Sequence, residues 1–262
     1  MQDLSTELSL VTVTYNSAKV LGGHIDSLRS SATGPLPKWF IVDNASTDDT
    51  DSLLSTYGQD VELIKNSENL GFGSACNIGI AASKTRYVLI LNPDTELSES
   101  AIQQLLVEMK SRDAAIAGPA LDPSDDRSVE AVDWLVGAVL LFDTEKMDSV
   151  GYFDEQFFLY EEDVDICKRA NDANLKVLHC RNVSIPHVGG GSTVRSRAVI
   201  EFIHFHKGRS YAIYAHKHGL GDKFIEAYVR RNKKRMIVAL LTFGVARYVR
   251  AKAKIKGVNS VQ

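Results

Sequence analysis

The stretch YVLILNPDTE (87–96) joins five unbroken apolar residues to a polar turn. Apolar residues at every position, not at alternate ones, mark a strand buried on both faces, as in the parallel sheets of α/β proteins. Pro93 cannot donate to a ladder, so the strand ends before it and Asp94 falls just past the carboxyl end. Three earlier runs read the same way: LSLVTVT (Leu8–Thr14), WFIV (39–42) and VELI (61–64). Helix-like segments near 17–29, 48–57 and 74–82, with another after Ser98, separate or follow them. This alternation predicts an α/β fold with a doubly wound, mostly parallel sheet flanked by helices. Ligands of such sheets lie beyond the carboxyl ends of the strands. Those ends read TYN, DNASTDDT, KNSENLGFG and NPDTE, all polar and three of them acidic. Further strands are expected at WLVGAVLLF (134–142), LKVLH (175–179) and VSIPH (183–187).

The chain has 262 residues, 44% hydrophobic and 24% charged, enough for one large α/β domain or two small ones. Cys76, Cys167 and Cys180 form no CxxC pair, which points to a reducing compartment and buried thiols rather than a disulfide frame or a zinc site. The N-terminal MQDLSTELSL lacks a basic n-region and a long apolar core, so no signal peptide is expected there. Charge is uneven. Residues 222–262 carry eleven Lys/Arg and two Asp/Glu, a net of +9, which leaves −12 on the first 221 residues. The apolar run MIVALLTFGVA (236–246) lies between Arg235 and Arg247 and is well short of the ~20 residues of a spanning helix. A basic apolar tail of this kind suits either an interfacial helix drawn to anionic lipid or a solvated helix packed on the body.

Several motifs have two readings. In VDNASTDDT (42–50), Ser46 or Thr47 can cap a helix whose first turn holds Asp48 and Asp49. That leaves Asp43 and Asn44 at the strand end, where a carboxylate and an amide can read the edge of a ring such as a pyrimidine. GFGSAC (71–76) lacks the last glycine of a dinucleotide fingerprint and follows the third strand, so it is rejected as one; no GxxxxGK[ST] exists. FFLYEEDVDICKRA (157–170) gathers Glu161, Glu162, Asp163 and Asp165 at a helix start. They read as helix-start charges, or as a place where one carboxylate takes a proton. Four histidines, His204, His206, His216 and His218, suggest a metal site, but HxH pairs on a helix point apart, so that reading is set aside.

Together these segments resemble the family 2 glycosyltransferases of GT-A fold, and within them the bacterial rhamnosyltransferases of cell-surface polysaccharide assembly. The resemblance rests on VTVTYNS, IVDNASTDDT, NLGFGSACNIGI, LILNPDTEL, DWLVGAVLLF, GYFDEQFFLYEEDVDICKRA and VSIPHVGGGST, in that order between about Leu8 and Thr193. It implies a catalytic domain over 1–193, with a nucleotide-sugar half at about 1–96 and an acceptor half at about 97–193, followed by a helical basic extension over 194–262. It also implies inverting transfer from a nucleotide diphosphate sugar, dTDP-rhamnose within the subgroup, to a hydroxyl of a glycan or a polyprenyl-diphosphate-linked acceptor. GlcNAc, mannose, galactose and galactofuranose donors are the alternatives.

By position, Thr14, Tyr15, Asn16 and Asp43 would hold the base, and Asn69 would line the donor site. NPD stands where the family has DxD, with Asn92 in place of the first acid, so a divalent metal (Mg²⁺ or Mn²⁺) would rest mainly on Asp94, completed by His187. Asp163 would be the general base, with Glu162 as its neighbour, and Glu161 and Asp165 would be helix-start and solvent charges. A helix N-terminus would keep Asp163 ionised. Trp134 would wall the sugar or acceptor site, or else sit in the core. The expected setting is cytoplasmic and peripheral on the inner face of the membrane, with contact through 222–262 and no nucleic acid. Two rivals stand against this. A nucleotidyltransferase needs a glycine-rich, Arg/Lys-bearing N-terminal loop that is not seen, and a silent sugar-nucleotide-binding module would not need Asp163.

Overall fold

The computed structural model describes residues 4–122, 125–187 and 196–261. Its strands are β1 (Leu8–Thr14), β2 (Lys38–Asp43), β3 (Glu62–Lys65), β4 (Tyr87–Leu91), β5 (Ile116–Ala120), β6 (Val129–Ala131), β7 (Val139–Asp143) and β8 (Val177–Ser184). They form one sheet in the order β3-β2-β1-β4-β7-β5-β8-β6. The first four strands are parallel, as the unbroken apolar runs predict. β7 runs antiparallel to both β4 and β5, β8 is parallel to β5, and β6 closes the edge antiparallel to β8.

The helices are α1 (Leu4–Glu7), α2 (Ala18–Ser31), α3 (Thr50–Ser55), α4 (Phe72–Ala82), α5 (Glu99–Ser111), α6 (Thr144–Met147), α7 (Glu162–Asp172), α8 (Arg197–Lys217), α9 (Asp222–Leu241) and α10 (Val245–Asn259). The sheet has a core on each face. Leu8, Leu10, Ile41 and Leu89 pack with Leu21 and Ile25 of α2 and Leu105 of α5. Val11, Val13, Val42 and Ile90 pack with Cys76 of α4 and Ile166 of α7. Alternate residues of one strand therefore serve opposite cores, and in β1 the polar Ser9, Thr12 and Thr14 are buried among the apolar ones. Cys76, Cys167 and Cys180 are free and buried within these cores.

Three sequence expectations need correction. The strand expected over 134–142 begins only at Val139, because residues before it turn across the end of β4, where the Asn92 amide donates to the Ala138 carbonyl (2.8 Å). The two short strands expected at 175–179 and 183–187 are one strand, β8, with His187 bridging to Thr95 beyond its end. Neither Ser46 nor Thr47 caps α3: it starts at Thr50, whose amide donates to Asp48 Oδ1 (3.1 Å), while Ser46 is bonded to Asp43 and Thr47 to Asn16. The domain boundary expected near Thr193 lies outside the described residues.

One buried polar chain ties the core to the ligand edge. The Trp39 indole N–H donates to Thr12 Oγ1 (3.0 Å), the Thr12 hydroxyl meets His24 Nε2 (3.1 Å), and His24 Nδ1 meets the Thr95 carbonyl (2.8 Å). These contacts assign the proton to Nδ1 and leave Nε2 to accept. Burial lowers the His24 pKa to about 4, against the support of the Thr95 carbonyl. Between an unfolded value of 6.5 and that folded value only the unfolded chain takes the proton, so stability must rise with pH across the window. The full difference is about 3 kcal/mol. His24→Gln is expected to lose this part of the slope in urea titrations from pH 4 to 7, and an unchanged slope would place the effect elsewhere.

Candidate active site

The sheet register brings the predicted site residues to one edge. Thr14 pairs with Asp43 at the carboxyl ends of β1 and β2, and Leu91 pairs with Val139 next to Asn92. The end of β8 arrives at the same edge, because His187 bridges to Thr95.

The first group is a cross-linked set of loops. Asn16 takes a left-handed conformation (φ 53°), and its Oδ1 accepts from the Thr47 amide (2.8 Å). Its own amide donates to Ser46 Oγ (2.8 Å), and Ser46 donates its hydroxyl and its amide to the buried Asp43 carboxylate. Tyr15 is exposed beside them, while Thr14 is fully buried with its hydroxyl unpartnered. Asn69 Oδ1 accepts from the Gly71 amide (3.0 Å), so its carbonyl is used within its own loop.

Asn44 behaves differently from the ring-reading amide expected. Its Nδ2 donates to Asn69 Oδ1 (3.1 Å) and to the Gly71 carbonyl (2.9 Å). Its Oδ1 accepts from Asn66 Nδ2 (2.9 Å) and the Leu70 amide (3.2 Å). An Asn side chain has two donor and two acceptor positions, and all four are filled. Asn44 is a clasp for the loop, with nothing left for a ligand. Its position directly after Asp43 at a strand end gave no signal of this, because its partners lie 22 to 27 residues further along the chain.

The second group is Asn92, Asp94 and His187. His187 Nε2 lies 3.0 Å from Asp94 Oδ1 and 3.4 Å from Asn92 Nδ2. One ring nitrogen cannot both donate to the carboxylate and accept from the amide, so the proton lies between His187 and Asp94. Burial presses the Asp94 pKa upward, but the hydrogen bond and charge of His187 outweigh it and hold the carboxyl below its ordinary range. The same contact raises His187. An ionised carboxylate and a ring nitrogen thus converge on one point, where a hard divalent cation can replace the shared proton. Among the described residues there is no group of three or more His, Cys, Asp or Glu able to hold a metal. Two protein ligands suit an ion whose other ligands are phosphate oxygens and water.

The third group surrounds Asp163. Phe157 is fully buried and anchors the run, and Tyr160 and Glu161 both take left-handed backbone (φ 69° and 67°) before α7 begins. Such conformations in non-glycine residues cost ~1–3 kcal/mol each and persist where the surroundings force them. One constraint is Gly71, at the start of α4. Its φ is 88°, and an added Cβ would stand 2.3 Å from the Phe158 carbonyl oxygen, the oxygen that the Phe72 amide holds at 3.0 Å. Gly71 therefore lets α4 dock the aromatic run.

Asp163 follows, half-buried. Its Oδ2 accepts from the Gly137 amide and its Oδ1 from its neighbour Val164, both at 2.9 Å. Burial raises its pKa despite these donors, so the helix terminus does not by itself fix the charge as expected. Glu162 is buried with Oε2 unpartnered; burial first, then the Asp163 charge, pushes it up to about 8. That direction favours its uncharged form beside Asp163. Trp134, 53% exposed three residues before Gly137, does not belong to the core.

Asp165 is no solvent charge. It is completely buried and accepts from Arg169 Nε (2.8 Å), Lys217 Nζ (2.9 Å) and His218 Nε2 (2.8 Å). One of the four tail histidines thus has a structural partner. Glu161 is likewise half-buried, and burial raises its pKa.

The carboxyl edge of one mixed sheet thus gathers a cross-linked polar loop, an Asp–His pair and a seated carboxylate. Residues 9–203 match the model of glycosyl transferase family 2, and the chain belongs to that family: it is a hexosyltransferase. Among similar proteins, it is 25% identical to an N-acetylglucosaminyl-diphospho-decaprenol L-rhamnosyltransferase of Mycobacterium tuberculosis, over 80% of this chain and 85% of that protein. It is 24% identical to a low-salt glycan biosynthesis hexosyltransferase of Haloferax volcanii, over 71% of this chain and 68% of that one. Among solved structures, a mannosyltransferase of Pyrobaculum calidifontis in complex with GDP-Man and Mn²⁺ superposes with a TM-score of 0.67 at 14% identity, over 97% of this chain and 86% of that one. TarS of S. aureus in complex with UDP gives 0.59 at 15% identity, over 97% and 91%.

Proposed function

We propose that the chain transfers rhamnose from dTDP-rhamnose, with inversion, to a hydroxyl of a lipid-linked glycan, Asp163 being the general base. The observation that carries this is the Asp163 carboxylate, seated by two backbone amides on the edge that also holds the Asp94–His187 pair. The rhamnosyl donor and the diphosphate-linked acceptor are suggested by the mycobacterial relative.

In this reading Tyr15, Asn16 and Asp43 hold the base of the donor, with Thr14 and Asn69 behind them. Asp94, His187 and Asn92 hold a divalent metal and the diphosphate; when bound, the metal neutralises charge on the leaving phosphate. Trp134 shields the sugar from water. Asp163 accepts the proton of the acceptor hydroxyl as it attacks the anomeric carbon, while the bond to the diphosphate breaks. Its raised pKa suits the task, since a base works best when its pKa approaches the operating pH. Burial of Glu162 favours its uncharged form, which adds no second charge beside Asp163.

A thermal-shift panel of nucleotide sugars with and without Mg²⁺ or Mn²⁺ tests the donor; stabilisation by another sugar nucleotide above dTDP-rhamnose overturns the rhamnosyl reading. Asp94→Ala is expected to lose the Mn²⁺-dependent gain in nucleotide diphosphate affinity by titration calorimetry. The same metal dependence in the variant would remove Asp94 as a ligand.

We also propose peripheral membrane contact through 222–262. No helix among the described residues is long and apolar enough to cross a membrane. The tip between α9 and α10 nevertheless exposes Leu241 (76%) and Phe243 (93%), with Ile237, Leu240 and Val245 around them. Leu241→Glu/Phe243→Glu is expected to reduce co-sedimentation with anionic vesicles severalfold, and salt to weaken binding of the unaltered chain. Equal sedimentation of both proteins would remove the contact.

A further inference from the structure

The three C-terminal helices gather five cations and a histidine and give them no ion pair with a described carboxylate. α8 and α10 touch backbone to backbone: a Cβ on Gly208 would stand 1.9 Å from the Lys254 carbonyl oxygen, and one on Gly257 1.9 Å from that of Phe205. This contact sets His204 and Lys207, one turn apart on α8, beside Arg250 and Lys254, one turn apart on α10. Across from them α9 carries Arg231 and Arg235, again one turn apart.

None of these six residues makes an ion pair with a described carboxylate. Glu161 acts on Lys207 without an ion pair, and Arg231 lies over the Tyr228 ring, 5.3 Å from its centre. Burial first, then the charges of Arg235, Lys207, Arg231 and Arg250, lowers Lys254; burial first, then Lys254, Lys207 and Arg250, brings His204 down to about 4. The three arginines are exposed, whereas Lys207, Lys254 and His204 are half-buried, which makes an arginine rim around a lysine floor. His204 Nδ1 is buried with no hydrogen-bond partner. Half-buried cations that repel one another cost stability unless an anion joins them.

Two features select the anion. The first is location: the Lys207 ammonium lies over the Tyr160 ring, 4.1 Å from its centre, and Tyr160 is three residues from Asp163. The second is continuity: the exposed apolar tip lies between Arg235 and Arg250 along the chain, so the cations adjoin a surface for hydrocarbon. A charged head beside a hydrocarbon tail is the chemistry of a prenyl diphosphate, not of a free phosphate or a nucleic acid.

We propose that His204, Lys207, Arg231, Arg235, Arg250 and Lys254 bind the diphosphate of the lipid-linked acceptor, with its prenyl chain along the α9–α10 tip. This rests on the lipid-linked reading of the acceptor and assigns that acceptor its site. The diphosphate then lies on the lysine floor while the sugar attached to it reaches toward Asp163.

The test is calorimetric titration of the full chain with farnesyl diphosphate below its micelle concentration. The unaltered chain is expected to bind it. Lys207→Gln/Lys254→Gln should bind at least tenfold more weakly and Arg235→Gln, at an exposed position, severalfold more weakly. Nucleotide-sugar affinity should stay unchanged in both, which also reports that they fold. Inorganic pyrophosphate and phosphatidylglycerol vesicles form parallel arms. Equal farnesyl diphosphate affinity in the folded variants overturns the site. So does pyrophosphate bound as tightly as farnesyl diphosphate, or a loss confined to vesicles. Transfer to a lipid-linked acceptor with unchanged farnesyl diphosphate affinity in the variants would sink the site and leave the functional reading. Binding without any such transfer would sink the reading and leave the site.

Discussion

Asp163→Asn is expected to bind donor nearly as the unaltered enzyme does and to lose roughly 10²–10⁴ in kcat. Binding should survive because the donor-side loops are tied together by Asn16, Asp43 and Asn44, while the Asp163 carboxylate is bonded to Gly137 and Val164 instead. Chemistry should fail because the amide cannot take a proton. The substitution also removes one acceptor, so either the Gly137 or the Val164 amide loses its partner. That alone is worth about 1–3 kcal/mol of local stability, and it does not change with pH. The pH profile therefore separates the roles. In the unaltered enzyme the acid limb of kcat should fall above the usual aspartate range, since burial raises this carboxyl. In Asp163→Asn the limb should vanish along with the rate. Single-turnover transfer from a labelled donor to a lipid-linked acceptor measures both. Near-normal turnover, or a low rate that keeps the same acid limb, would return Asp163 to a capping role.

How much of this was legible in the chain depends on how local each cause is. β4 matches the expected limits because its five residues, buried on both faces, are apolar throughout; β1 matches them too, although it buries Ser9, Thr12 and Thr14. β5 was not legible: IAGPA carries a glycine and a proline. It is tolerated because β5 pairs with β7 only at Ile116 and Ala117, so Pro119 leaves no ladder donor missing on that side. β6, three residues at the edge, is set by its antiparallel pairing to β8 and not by its own pattern. The candidate site divides the same way. Acids just past apolar strands are legible from sequence alone, and the register puts Asp43 and Asp94 at the carboxyl edge of the sheet. The role of Asn44 depends on a loop 22 residues on, and the seat of Asp163 on an amide 26 residues earlier. Periodicity has no access to either.

Asp165 is the sharpest case, and its replacement should have the largest effect on stability. Two residues from Asp163, it looks like one more acid in a helix start, yet it is the common anion for Arg169, Lys217 and His218. Its partners differ in what they keep if it is lost. Arg169 still donates to the carbonyls of Val150 and Tyr152, and Lys217 still reaches Asp154 at 2.5 Å. His218 loses its one hydrogen-bonded carboxylate. Breaking a buried ion pair by removing one partner costs roughly 3–5 kcal/mol, because the remaining charges are left without compensation. Asp165→Ala is therefore expected to lower the urea-unfolding free energy by about that amount. Asp165→Asn should cost less, since its Oδ1 can still accept from one donor. The loss should also loosen the end of α8, where Lys217 and His218 grip α7, and with it the cation face that α8 shares with α10. Hydrogen exchange in α8 should rise before exchange in β1 and β4 changes. A stability loss below about 1 kcal/mol would mean that solvent compensates these charges and that Asp165 is the surface acid its sequence suggests.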